Sequence, residues 1–183
     1  SSFPEKPLAV INSNFTYNVL TEKRDEWVST TVEACKKAGI DYSISRHPAD
    51  MGDFSQYQVT EMSMYEAIRQ GTIFISRFGS GIIESIAMGK PAIYHNPHGE
   101  KVPKFQNPLG AYQVSDSVES LTKAIQTVLS SPKDPRPNAK KFLKLHASAL
   151  QKVPAGQRLG NAIIAALREP NHATDKKRVS SAV

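Results

Sequence analysis

The chain has 183 residues, of which 39% are hydrophobic and 22% charged, with a net charge of +6. Those values suit one folded domain with a sizeable core and argue against a disordered chain. No apolar run approaches the ~18 residues that cross a bilayer, and a single cysteine, Cys35, excludes an intrachain disulfide or a cysteine-based metal cluster.

The opening Ser1-Ser2-Phe3-Pro4 has neither an initiator Met nor the layout of a signal peptide, so a start inside a longer protein is expected. Leu8-Ala9-Val10-Ile11 reads as a buried first strand, and Asn12-Ser13-Asn14 as the polar loop after it. A helix is predicted over 25–38, with Trp27, Thr31, Ala34 and Ala38 recurring at three and four, and Gly39 as its left-handed stop. Cys35 falls inside that pattern as a packing residue. Residues 40–45 form the second strand, ending at Arg46-His47-Pro48, and Tyr57-Gln58-Val59 reads as a short third. Ser63 and Glu66 have capping-box spacing for a helix over 64–70, closed by Gly71. Thr72-Ile73-Phe74-Ile75 is a strand by its β-branched and aromatic residues. A helix over 82–88 and a strand over 91–94 come next, then a proline-rich loop over 95–108. Residues 111–114 read as an edge strand. A helix capped by Asp116 or Ser117 carries Val118, Leu121, Ile125 and Leu129 on one side. Two more helices are predicted over 139–150 and 157–168, and the residues beyond Pro170 are polar.

Alternating strands and helices predict an α/β, three-layer Rossmann-like domain, a parallel β-sheet flanked by helices, over 1–168 with a basic tail at 169–183. Right-handed crossovers then bring the loops at 12–18, 46–53, 76–81 and 95–107 to one sheet edge, where ligands of such sheets bind.

The central motif is a strand, then Arg77-Phe78-Gly79-Ser80-Gly81, then a helix. Gly79 and Gly81 let backbone approach a ligand. The first helical amides, of Ser80, Gly81 and Ile82, lack intrahelical partners and would face a phosphate at the positive helix end. Ser80 offers a hydroxyl and Arg77 a charge. Glu84, one turn beyond Ser80, suits two sugar hydroxyls better than a phosphate. Together they point to a nucleotide: amides for phosphates, carboxylate for ribose. The plainer alternative is a tight strand–helix turn with a solvent-facing Glu84. Neither the dinucleotide fingerprint nor a Walker loop is present.

The run from Phe74 to Tyr94 resembles the donor-binding half of GT-B fold glycosyltransferases, in its Ser/Gly helix start, Glu84, Ala87 and Gly89-Lys90-Pro91 before a strand. The likeness continues through Gly110-Ala111-Tyr112-Gln113-Val114. It implies that Gly79, Ser80 and Gly81 approach the diphosphate of a nucleotide sugar, and that Glu84 binds the ribose. The base would sit by the 46–53 loop, where His47 either reaches the donor's phosphate or base edge or packs as a surface loop residue, and the loop bearing His98 would hold the donor's sugar. The same stretch is similar to nucleotide-sugar 2-epimerases, although their Thr-Glu-Arg segment is here Gly99-Glu100-Lys101. The resemblance implies a glycosyltransferase whose acceptor-binding domain and catalytic base lie outside this chain, so the domain alone would not transfer sugar. It also implies no metal and no resident cofactor, which leaves His95, His98 and Glu100 without a metal role.

Residues 131–183 carry 11 basic against 3 acidic side chains, whereas 1–130 carry 12 against 14. The basic section suits an anionic membrane surface or an acidic partner. It has one Phe, Phe142, and no other Phe, Tyr or Trp, so nucleic acid is a poor fit. A fragment of an epimerase and a non-catalytic interaction module are the alternatives. A cytoplasmic protein, peripheral to a membrane if that basic section docks, is the expectation.

Overall fold

The computed structural model describes residues 6–16, 19–131, 136–147 and 153–168. Ser1–Ala147 form one compact unit and Ser148–Val183 a second. Helix α6, Ala155–Arg168, is the element described in the second unit. The expected tail at 169–183 and the last residues of the helix read at 139–150 lie outside the described residues.

In the first unit, five parallel strands form one sheet in the order β2-β1-β3-β4-β5. They are β1 (Leu8–Asn12), β2 (Asp41–Ser45), β3 (Ile73–Ser76), β4 (Ala92–His95) and β5 (Gln113–Ser115). Helices α1 (Arg24–Ala38), α2 (Met64–Gln70), α3 (Ser80–Ala87), α4 (Val118–Ser130) and α5 (Ala139–His146) complete it.

Successive strand side chains point to opposite faces, and both faces are apolar. Ala9, Ile11, Ile44, Ile73, Ile75 and Ile93 pack against Trp27, Val28 and Val32 of α1 and Leu121, Ile125 and Val128 of α4. Val10, Phe74, Ala92 and Tyr94 pack against Ile68 of α2, Ile82 and Ile86 of α3 and Phe142 of α5. This two-faced burial is what a parallel sheet requires, and each fully buried Ile or Phe contributes about 1.5–3 kcal/mol. Cys35 is buried in the α1 layer, and burial pushes its thiol up to about 12, so it packs as a small apolar residue.

Helix ends follow local chemistry. Gly39 stops α1 at φ 70, its N–H donating to Lys36 O at 3.1 Å. Ser63 and Glu66 form the capping box of α2, and Ser117 with Ser120 that of α4. Several expectations differ: the last helix begins at Ala155 rather than at 157, and β3 ends at Ser76 rather than at Ile75. Tyr57-Gln58-Val59 is not a strand: a lone bridge joins Val59 to Ile44, because the ladder there is limited to Ile44 N–H donating to Gln58 O and Thr60 N–H donating to Ile44 O. Helix α3 begins two residues early, at Ser80, and β4 extends to His95. The edge strand β5 spans 113–115, since Ala111 and Tyr112 are buried in the preceding turn.

Candidate functional site

Strand β1 leads into α1 on one face of the sheet and β3 into α3 on the other. The two neighbouring strands therefore send their chains apart, and a crevice opens at their carboxyl ends. The side-chain amide of Asn14 donates to the Phe78 carbonyl across it. Gly79 sits beside Asn14 at φ 145, where a Cβ would be strained and would lie 3.0 Å from Asn14 Nδ2.

Gly79 caps α3 without a side-chain hydrogen bond, and Ser80 is exposed at its first position. Ile82 N–H donates to Gly79 O at 3.3 Å, so this amide, expected to be free, has a turn partner. Gly81 has a packing reason: a Cβ there would lie 2.8 Å from Phe74 Cζ, so its absence lets α3 seat on β3. One turn on, Glu84 is half-buried, and its Oε2 is buried with no hydrogen-bond partner among the described residues. Buried polar atoms are almost always paired, so a lone carboxylate oxygen marks a place where a donor is expected.

Arg77 does not reach outward from the loop. It is 1% exposed, and its guanidinium donates from Nε to Glu100 Oε2 at 2.6 Å and from Nη2 to Glu100 Oε1. Nη1 donates to Val19 O at 3.2 Å, and the group lies over the Phe15 ring at 4.3 Å. One side chain thus joins the loops after β1, β3 and β4. The last of these closes on itself: Asn96 Nδ2 donates to Glu100 O at 3.0 Å, and Glu100 N–H donates to Asn96 Oδ1 at 2.8 Å. His98 rides on that closed loop, half-buried, with Nε2 buried and unpartnered.

At the end of β4 stand Tyr94, to which the sequence gives no role, and His95, which it reads as a loop residue near His98. Tyr94 has a buried, unpartnered hydroxyl, pushed up to about 12 by burial and then by the charge of Glu100. His95 is fully buried. Its Nδ1 lies 3.0 Å from Ser115 Oγ, its carbonyl accepts from Trp27 Nε1 at 3.0 Å, and its Nε2 has no partner among the described residues. Burial holds it down to about 4, a Ser115 backbone bond opposes that shift, and the neighbouring His98 adds to it.

Beyond β1 and β2 lies a groove of ≈ 1180 Å³, lined among others by Asn12, Arg46, His47, Phe54, Tyr57, Met62 and Tyr65. His47 is half-buried on its wall, with Nδ1 accepting from Ala49 N–H at 3.1 Å. Gly79–Glu84 do not line this groove. They sit two strands over from His47, roughly 10 Å at the spacing of a sheet. The groove's rim is held by a second buried arginine. Arg24 Nε donates to Asp50 Oδ1 at 2.9 Å, Ser13 Oγ donates to Asp50 Oδ2 at 3.0 Å, and the guanidinium lies over Phe54 at 4.2 Å. No spacing along the chain signals either arginine's partner.

Among the described residues no three His, Cys, Asp or Glu side chains are grouped to share a metal ion, and no helix is long and apolar enough to cross a membrane.

No family model and no curated protein sequence matches the chain. Solved structures match it by fold. A crystal structure assigned as a UDP-N-acetylglucosamine 2-epimerase from Listeria monocytogenes aligns at 15% identity and TM-score 0.59, over 92% of this chain and 47% of that one. The spinosyn forosaminyltransferase SpnP aligns at 17% identity and TM-score 0.59, over 89% and 45%. The pneumococcal O-GlcNAc transferase GtfA, solved with UDP and GlcNAc, aligns at 14% identity and TM-score 0.58, over 90% and 37%. The chain spans half or less of the length of these proteins. Its fold is the α/β Rossmann-like fold found in GT-B glycosyltransferases and nucleotide-sugar epimerases.

Proposed function

We propose that this chain is a nucleotide-sugar-binding domain, one half of an enzyme that transfers a sugar from a nucleoside-diphosphate donor to an acceptor held by another domain. The observation that carries the reading is the buried, unpartnered Oε2 of Glu84, one turn from the open start of α3 beside the β1–β3 crevice. In this reading the amides near Gly79–Gly81 and the Ser80 hydroxyl meet the diphosphate, and Glu84 accepts from the ribose hydroxyls. His47 and the groove beyond β2 take the base, and His98 meets the donor's sugar. Arg77 acts indirectly, by holding loops. No metal or resident cofactor takes part. Exposed Lys140, Lys141 and Lys144 on α5 support contact between the basic section and an anionic membrane surface, which binding to anionic but not neutral vesicles would test.

Titration with UDP, CDP, GDP, ADP and dTDP, followed by amide NMR, tests the binding claim. Shifts concentrated at 79–84 with at least one of them are expected; no shift at millimolar concentration would overturn it. The epimerase reading is favoured by Gly89-Lys90-Pro91 and the equal fold likeness to an epimerase. Incubating the whole protein with a nucleotide sugar separates the two. Transfer needs an added acceptor, whereas epimerised product without one would favour the rival.

A further inference from the structure

We infer that Glu100, through Arg77, is a positioning residue that sets the loop over 96–101 and with it the side of the site that reads the donor's sugar; the inference rests on the nucleotide-sugar reading above. The loop has no regular structure of its own, yet three observations fix it. Its carboxylate is gripped at both oxygens by a guanidinium that is itself buried. Asn96 and Glu100 exchange two hydrogen bonds that close the loop into a ring. Gly99, at φ 66, supplies the reversal between them. His98 lies within that loop, and its Nε2 is buried with no hydrogen-bond partner among the described residues. The backbone that carries His98 is thereby set before any ligand arrives, so less ordering of the loop is needed on binding.

The anchor of the loop is also an anchor of the phosphate side. Arg77 precedes the Gly79–Gly81 turn, and its Nη1 bond to Val19 O ties in the loop after β1. Glu100 is thus coupled to both halves of a donor: to the sugar through His98, and to the diphosphate through the strand-end turn. It touches neither, which distinguishes positioning from direct contact. Its neutralisation of Arg77 also means that the cation nearest the turn is closed off, so phosphate recognition falls to amides and hydroxyls.

The test compares UDP-glucose with UDP on the whole chain and on Glu100→Gln, Asn96→Ala and His98→Ala. Hydrogen exchange at 96–101 should rise at least 10-fold in Glu100→Gln and measurably in Asn96→Ala. UDP-glucose affinity should fall at least 5-fold more than UDP affinity in both. Adding His98→Ala to either should cost less than a further 2-fold, since the loop already presents His98 poorly. A merely structural role would weaken both ligands equally. Should Glu100→Gln fail to fold, Asn96→Ala carries the test, because it leaves no buried charge unpaired. Unchanged loop exchange, equal losses for the two ligands, or losses that multiply with His98→Ala would each overturn the positioning role while nucleotide binding stands. If the unmodified chain binds neither UDP nor UDP-glucose, the same comparison is made with whichever of CDP, GDP, ADP or dTDP binds and its glucose conjugate; binding of none of the five overturns the nucleotide reading and the positioning role with it.

Discussion

Arg77 and Glu100, 23 residues apart, form a two-point ion pair at the carboxyl edge of the sheet, with the arginine 1% exposed and stacked on Phe15. Taking two charges out of water is expensive, and what the pair contributes is the matched geometry that offsets this. Removing one partner should therefore be far more damaging than removing both. Arg77→Met is expected to lower unfolding free energy by about 3–5 kcal/mol. Arg77→Met combined with Glu100→Leu should recover more than half of that. Urea unfolding of Arg77→Met, Glu100→Leu and the double variant checks it, and additive losses in the double variant would contradict the account.

A second arginine makes a parallel prediction. Arg24, Asp50 and Ser13 join the start of α1 to the loop that rims the large groove. Asp50→Ala should destabilise by about 1–3 kcal/mol, because Arg24 Nε and Ser13 Oγ lose a buried acceptor while Asp25 and the Asp53 carbonyl still hold the guanidinium. A double-mutant cycle with Arg24→Met should show coupling above about 1 kcal/mol.

His95 ties stability to pH. Its folded value, about 4, lies below the ordinary histidine value of 6.5, so the unfolded chain takes up the proton first. Stability from this group is complete above about pH 6.5 and is lost as pH falls toward 4. Linkage gives a loss of about 2 kcal/mol between pH 7 and pH 5. Unfolding free energies at those two values should differ by that much, and His95→Gln should shrink the difference. An unchanged slope in the variant would rule out His95 as its source.

Gly81 separates packing from ligand approach. Gly81→Ala puts a methyl 2.8 Å from Phe74 Cζ, so a stability loss of about 1–3 kcal/mol is expected from overpacking. Combining it with Phe74→Leu should restore part of that loss, as thermal unfolding would show.

Local patterns carried most of the fold into view. The Ser63–Glu66 spacing, Gly39 and the Ser117 cap are short-range signals, and each marks the helix end it predicts. Helix α3 begins earlier than read because Ser80-Gly81 has low helix propensity, and packing of Gly81 on Phe74 overrides it. His95 reads as a loop residue by polarity, but the end of β4 buries it against Trp27 and Ser115. The Tyr57-Gln58-Val59 run has strand-like residues but one bridge to support them. At the candidate site, Gly79, Ser80 and Glu84 stand out because Glu84 follows the Gly79-Ser80 start of α3 by one helical turn. Glu100, Asp50 and Ser115, the distant partners of Arg77, Arg24 and His95, are brought from 20 or more residues away, and no local spacing encodes them.

The central claim is that Glu84 meets a ribose, and calorimetric titration of the unmodified chain and Glu84→Gln tests it most directly. The ligand is whichever of UDP, CDP, GDP or ADP binds best, with its 2′,3′-dideoxy form as control. The unpartnered Oε2 makes the free protein indifferent to the change, so folding stability should hold or rise slightly. The predicted result is an affinity loss of about 10-fold to 100-fold, or roughly 1.4–2.7 kcal/mol, with the dideoxy ligand binding poorly to both proteins. Equal affinity of Glu84→Gln and the unmodified chain for the ribonucleotide would contradict the ribose assignment and the reading built on it.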